Sequence, residues 1–123
     1  MQKKPNTFRL AGYAVLLAGM LGAGSAFAGP KVNQADASKL VSYVKSNGLA
    51  CMSCHAVDHR VIGPPWAKVA LRYHGKAHAE KTVSKAIANG SSGLWAGYPP
   101  MPSGLATPAQ SKVLAKMILH LVN

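Results

Sequence analysis

The chain has 123 residues, 14 Lys and Arg against 3 Asp and Glu, a formal net charge of +11 and two cysteines. That length excludes a multidomain enzyme, and the cysteine count excludes a disulfide-dense miniprotein. With 49% apolar and 14% charged residues, the chain can collapse around a core, so its basic balance reflects scarce acids and not a Lys/Arg-rich tail.

Residues 1–28 read as an export signal. Lys3, Lys4 and Arg9 precede an apolar run from Leu10 to Ala23, and Ala26-Phe27-Ala28 has the small-x-small pattern that a signal peptidase cuts. A membrane anchor is the competing reading, but Gly12, Gly19 and Gly22 interrupt the run, which falls short of the ~20 apolar residues that span a bilayer. No twin arginine is present, so export of the unfolded chain is the default. Cleavage would leave a domain over residues 29–123. It would remove three of the 14 basic side chains and none of the 3 acidic ones, lowering the net charge from +11 to +8. A domain this small buries roughly two-thirds of its unfolded surface and often needs a staple.

Asn33 is placed to cap a helix with Asp36 in its first turn and Leu40, Val41 and Val44 on one face, ended by Asn47-Gly48. Cys51-Met52-Ser53-Cys54-His55 follows directly. A disulfide between cysteines three residues apart would close too short a loop to add much stability. C-x-x-C-H is instead the attachment motif of c-type haem: two thiols on one helical turn reach the two vinyl groups, and the next imidazole points at the iron. A thioredoxin-like redox pair is the chief competitor, and it requires a strand before the motif. No run of alternating or β-branched apolar residues long enough for such a strand occurs. A zinc site lacks its second ligand pair.

Gly63-Pro64-Pro65 reads as a rigid bend, with Pro65 at the first position of a short helix through Trp66, Val69 and Ala70. From Ala79 to Asn89, Val83, Ala86 and Ile87 recur at helical spacing until Gly90. Ser91 to Gly104 is a Gly/Pro-rich loop too long for a purely connective role. Thr107-Pro108 reads as the cap and first residue of a last helix, with Val113, Leu114, Met117, Ile118 and Leu121 inward. The fold class is therefore all-α, four to five short helices around one haem.

The sixth iron position narrows to a few side chains. Met52 lies inside the attachment turn, and Met117 is in phase with the apolar face of the last helix, where core packing is the better reading. Met101 sits in Pro99-Pro100-Met101-Pro102, where three prolines stiffen the loop and lower the entropy lost on ligation. The rivals are histidines: His59, four residues from His55, should stay on the same side of the haem, and His74, His78 and His120 read as surface residues.

The chain resembles the class I c-type cytochromes, in particular the small bacterial monohaem kind that serves as soluble periplasmic donor to nitrite reductases and terminal oxidases. The resemblance is carried by Cys51-Met52-Ser53-Cys54-His55-Ala56, Val61-Ile62-Gly63-Pro64-Pro65, Asn89-Gly90-Ser91-Ser92-Gly93-Leu94-Trp95, Pro100-Met101-Pro102 and the last helix, in that order. It implies one haem c joined through thioethers to Cys51 and Cys54, with His55 and Met101 as axial ligands. It also implies that the carbonyl of Pro64 accepts the other ring N–H of His55, and that Trp95 packs at the haem edge within reach of a propionate. Trp66 stands either as core or as haem lining. Two positions depart from many relatives: Ala86, beside Lys85, where an arginine is common, and Gly104 where an asparagine often follows the ligand methionine.

The expected function is one-electron transfer in the periplasm between respiratory donors and a terminal reductase or oxidase, without enzymatic turnover. Two alternatives stand beside it: a haem protein whose Met101 leaves the iron to admit ligands or peroxide, and a fixed cytochrome subunit of a larger oxidoreductase. The like-charge pairs Lys81/Lys85 and Lys112/Lys116 do not favour a helix. They suggest a basic docking face for a redox partner with an acidic patch. A monomer without stable membrane insertion is expected. Nucleic acid is excluded as a partner because only Arg60 and Arg72 remain after processing, no aromatics are interleaved with the basic residues, and export removes the polymer.

Overall fold

The computed structural model describes residues 30–123, so the export signal expected over residues 1–28 and its junction at Gly29 lie outside the described residues. Four helices follow in order: α1 (Gln34–Ser46), α2 (Trp66–Tyr73), α3 (Ala79–Asn89) and α4 (Pro108–Leu119), with a 3₁₀ turn at Ala50–Ser53 between α1 and α2. The described residues contain no strand, only a single bridge between Ser91 and Met101, and no helix among them is long and apolar enough to cross a membrane.

The helix ends follow side-chain chemistry. The Asn33 side chain accepts from the backbone N–H groups of Ala35 and Asp36 at the start of α1. Thr107 opens α4 with a reciprocal capping box: its hydroxyl accepts from Gln110 N–H at 3.2 Å, and the Gln110 side chain accepts from Thr107 N–H at 2.9 Å. α2 has no side-chain cap. Its first N–H groups donate instead to carbonyls of the preceding loop, Trp66 to Ala56 at 3.0 Å and Ala67 to Val57 at 2.8 Å. Pro65 is accordingly the cap and Trp66 the first helical residue, one position later than the Gly-Pro-Pro pattern suggests.

α4 is the hub, packing against α1, α2 and α3. Leu114, Ala115, Ile118 and the following Leu121 meet Leu40 and Val44 of α1, Trp66 and Ala70 of α2, and Val83 and Ile87 of α3 in one buried cluster. Asn33 N–H donates to the Leu121 carbonyl at 2.8 Å and ties the start of α1 to the segment that follows α4. Two residues assigned inward by helical phase sit elsewhere: Val41 is half-buried, and Val113 is 39% exposed. Ala37 and Ala115 take the interior positions, since the helices approach closely and the stripe that touches a neighbour is narrower than the apolar face.

Candidate haem-binding cleft

The attachment turn is shaped by its backbone. Cys54 N–H and His55 N–H both donate to the Cys51 carbonyl, at 3.2 and 3.0 Å, and the Cys54 carbonyl accepts from Ile62 N–H at 3.1 Å and Gly63 N–H at 2.7 Å. The loop from Cys54 to Gly63 therefore returns to its start and lays Gly63 against the His55 ring. A Cβ on Gly63 would lie 2.5 Å from the ring's Cε1, so only glycine lets the backbone come this near. His55 Nδ1 donates to the Pro64 carbonyl at 2.8 Å. A carbonyl only accepts, so in the neutral ring the proton sits on Nδ1 and the lone pair on Nε2. Trp66 stacks on the same imidazole, with centroids 5.8 Å apart and planes 14° from parallel. It is at once a core residue and a wall of the cleft.

Cys51 and Cys54 are both free, half-buried thiols. Burial pushes the Cys51 thiol above its ordinary pKa; a backbone hydrogen bond opposes this, and neighbouring Cys54 adds to it. Redox-active C-x-x-C pairs depend on the opposite shift, a thiol made more acidic. Among the described residues no strand precedes the motif, as a thioredoxin-type site requires.

A second wall of the cleft comes from the loop between Ser91 and Gly104. Ser91 and Met101 exchange both backbone hydrogen bonds, Ser91 N–H to Met101 at 3.0 Å and Met101 N–H to Ser91 at 2.8 Å, closing the neck of the loop. Gly90, at φ +74°, lies beneath that neck. A Cβ there would meet the Met101 carbonyl oxygen at 2.5 Å. The half-buried Met101 side chain is thus presented by a closed, compact loop of the Ω type.

Between these segments lies one open cleft that encloses about 1180 Å³ of empty space, its solvent-filled mouth included. Cys51, Cys54, His55, Pro64, Trp95 and Met101 all line it. Among the described residues, His55 and Met101 are the only histidine and methionine that do. Met117 lies in a separate groove between α1 and α4 beside Asp36 and His120, Met52 is 37% exposed, and His59 pairs with Asp58 at 2.8 Å. The rest of the lining is mainly apolar, including Val69, Val83, Leu114 and Ile118. A flat hydrophobic macrocycle, two thiols for its vinyl groups and one nitrogen and one sulfur donor for its iron fit this donor set.

Sequence reasoning passed over Arg60, Arg72 and Tyr98. The Arg60 guanidinium donates to the Gly97 carbonyl at 2.6 Å and lies 4.2 Å from the Tyr98 ring centre. That of Arg72 donates to the Leu94 carbonyl at 2.6 Å and lies 4.3 Å from the Trp95 ring centre. Their signal in the sequence is slight: they are the only two arginines after residue 28, in a chain whose other cations there are lysines.

An all-helical chain wrapped around such a cleft, with C-x-x-C-H on one wall, defines a small c-type haem protein. The family model described as cytochrome c matches residues 49–121, and the chain belongs to that family, as a small class I c-type cytochrome. It is 39% identical over 69 residues to cytochrome c-551 of Pseudomonas aeruginosa, a match covering 56% of this chain and 65% of that one. It is also 39% identical over 71 residues to cytochrome c-552 of Hydrogenobacter thermophilus, covering 58% and 71%. The crystal structure of Nitrosomonas europaea cytochrome c552 superposes with a TM-score of 0.59 at 36% identity, covering 66% of this chain and 98% of that one. Membership makes the chain an electron-transfer protein with one covalent haem c, and not an enzyme.

Proposed function

We propose that the protein is a one-electron carrier of the periplasm, with His55 and Met101 as the axial ligands of its single haem. One observation carries the reading: of all the histidines and methionines among the described residues, these two alone line the one cleft that Cys51 and Cys54 also line. The bound haem supplies one-electron exchange between Fe(III) and Fe(II), at a potential raised by His/Met ligation. The chain does the rest. Cys51 and Cys54 hold the group by thioethers. The Pro64 carbonyl fixes the His55 tautomer and ring plane, leaving Nε2 to donate its lone pair. The Ser91–Met101 bridge and the close approach of Gly90 fix the Met101 backbone from which its sulfur would reach the iron. That restraint favours a carrier over a protein whose sixth position opens to ligands.

The basic run and small-x-small site before Gly29 support export, and the cations around the mouth support docking to an acidic redox partner. The half-burial of Trp95 in the cleft lining supports its packing at the haem edge, with its indole N–H offered to a propionate. The ferric visible spectrum tests the ligand set. A sulfur-to-iron charge-transfer band present in the parent and absent in Met101→Ala is expected; a band surviving in Met101→Ala would remove Met101 from the assignment.

A further inference from the structure

We infer that Arg60 and Arg72 form a strap across the mouth of the cleft that sets how often the Met101 loop opens. The inference rests on the His55/Met101 reading for its spectroscopic consequence, but its structural content is independent of it. Arg60 lies in the Cys54–Gly63 loop and Arg72 on α2, both on the wall that carries His55. Each reaches over to the other wall in the same two-part way, with a hydrogen bond to a loop carbonyl and a guanidinium against a loop aromatic: Gly97 and Tyr98 for Arg60, Leu94 and Trp95 for Arg72. Among the described residues, these are the hydrogen bonds that join residues 50–73 to residues 91–104, and no backbone–backbone bond does so. The loop's other ties run to itself and to α3, through Ser91–Met101 and Gly104 N–H to the Ala88 carbonyl.

The two straps act on different parts of the loop. Arg72 holds its ascending limb at Leu94-Trp95, and Arg60 its tip at Gly97-Tyr98, where Lys68 adds a second cation 5.4 Å from the Tyr98 ring centre. Trp95 and Tyr98 meet edge to face, with centroids 6.2 Å apart, so displacing either strap disturbs the ring that the other holds. Each exposed strap contact changes an opening equilibrium only a few-fold, and the combined contacts of both arginines are expected to change it by about tenfold or more. An open loop exposes the sixth iron position, so small ligands are captured in proportion to the open population. Arg60 and Arg72 are thus positioning residues for Met101, and the strap adds to the Ser91–Met101 bridge in keeping the loop closed.

The test uses the holoprotein with Arg60→Gln, Arg72→Gln and their combination, a lysine double variant Arg60→Lys/Arg72→Lys, and a charge control, Lys81→Gln/Lys112→Gln. The readouts are the rate of imidazole capture by the ferric protein, the pH at which the sulfur-to-iron band is lost, and amide exchange at Ser91 and Met101 relative to Leu40 in α1. The glutamine double variant is expected to capture imidazole and exchange the loop amides about tenfold faster or more, and to lose the band at least about one pH unit earlier. The lysine variant should recover part of each effect and the charge control none. Unchanged loop-amide exchange in the glutamine double variant would overturn the strap, whatever ligates the iron. Equal gains in the charge control would assign the effect to net charge and also overturn it. A parent protein lacking the band would instead overturn Met101 ligation and leave the exchange measurement to decide the strap.

Discussion

Gly63 carries a constraint out of proportion to its size. The His55 ring occupies the space that a Cβ would need, 2.5 Å from the ring's Cε1 and 2.9 Å from both ring nitrogens, while Pro64 holds the same ring at Nδ1. Gly63→Ala should therefore destabilise the protein by about 1–3 kcal/mol, the usual range for overpacking, and alter the haem spectrum, because the ring that must yield is the proposed ligand. Thermal unfolding of the holoprotein with its visible spectrum checks both. Cys51, Cys54 and His55 were legible as residues because the spacing is itself the chemistry. The His55–Pro64 bond and the place of Trp95 in the cleft lining were expected through resemblance alone. Gly63 and Gly90 read only as a bend and a helix stop, because the groups that crowd them, the His55 ring and the Met101 carbonyl, come from segments that local pattern does not bring together. Arg60 and Arg72 were hidden for the same reason. Each bonds to a carbonyl 37 or 22 residues away, and carbonyls leave no trace in a sequence.

At the scale of the element, α4 organises the rest, and its sequence announced it. Thr107, Pro108 and Gln110 form the cap and first turn that their types suggest. Thr107→Ala should cost about 1 kcal/mol. Within the helix, two adjacent apolar residues separate sharply. Leu114 is 1% exposed and Val113 39%, so Leu114→Ala should cost about 2–5 kcal/mol and Val113→Ala no more than about 0.5 kcal/mol. Denaturant unfolding of the three variants checks the set. The misassignment of Val113 shows the limit of periodicity: an apolar stripe gives the face, and the partners' approach decides which edge of it is covered. The loop between α3 and α4 stood out in the sequence by its length and prolines. Its Ser91–Met101 bridge was not, because a two-residue pairing has no periodicity to detect.

Across the whole molecule, charge and cleft bear on one another. The cations placed against the aromatic rim are Arg60, Lys68, Arg72 and Lys76, over Tyr98, Trp95 and Tyr73. Lys116 borders the separate groove between α1 and α4. An acidic partner approaching the mouth therefore meets cations held against rings. Steered association at such a face weakens as salt shortens the screening length from about 30 Å at 10 mM to about 8 Å at 150 mM. The bimolecular electron-transfer rate with an acidic partner should fall by about tenfold or more over that interval, measured by stopped flow, and a flat dependence would contradict steering. The central claim, that a single haem lies between His55 and Met101, is tested most directly by proton NMR of the ferrous holoprotein with methyl-labelled methionine. A sulfur bound to iron sets its methyl over the macrocycle, where the ring current moves the resonance far upfield of every other methionine. One such methyl is expected, present in Met52→Leu and Met117→Leu and missing from Met101→Leu. No upfield methyl, or one that persists in Met101→Leu, would contradict the account.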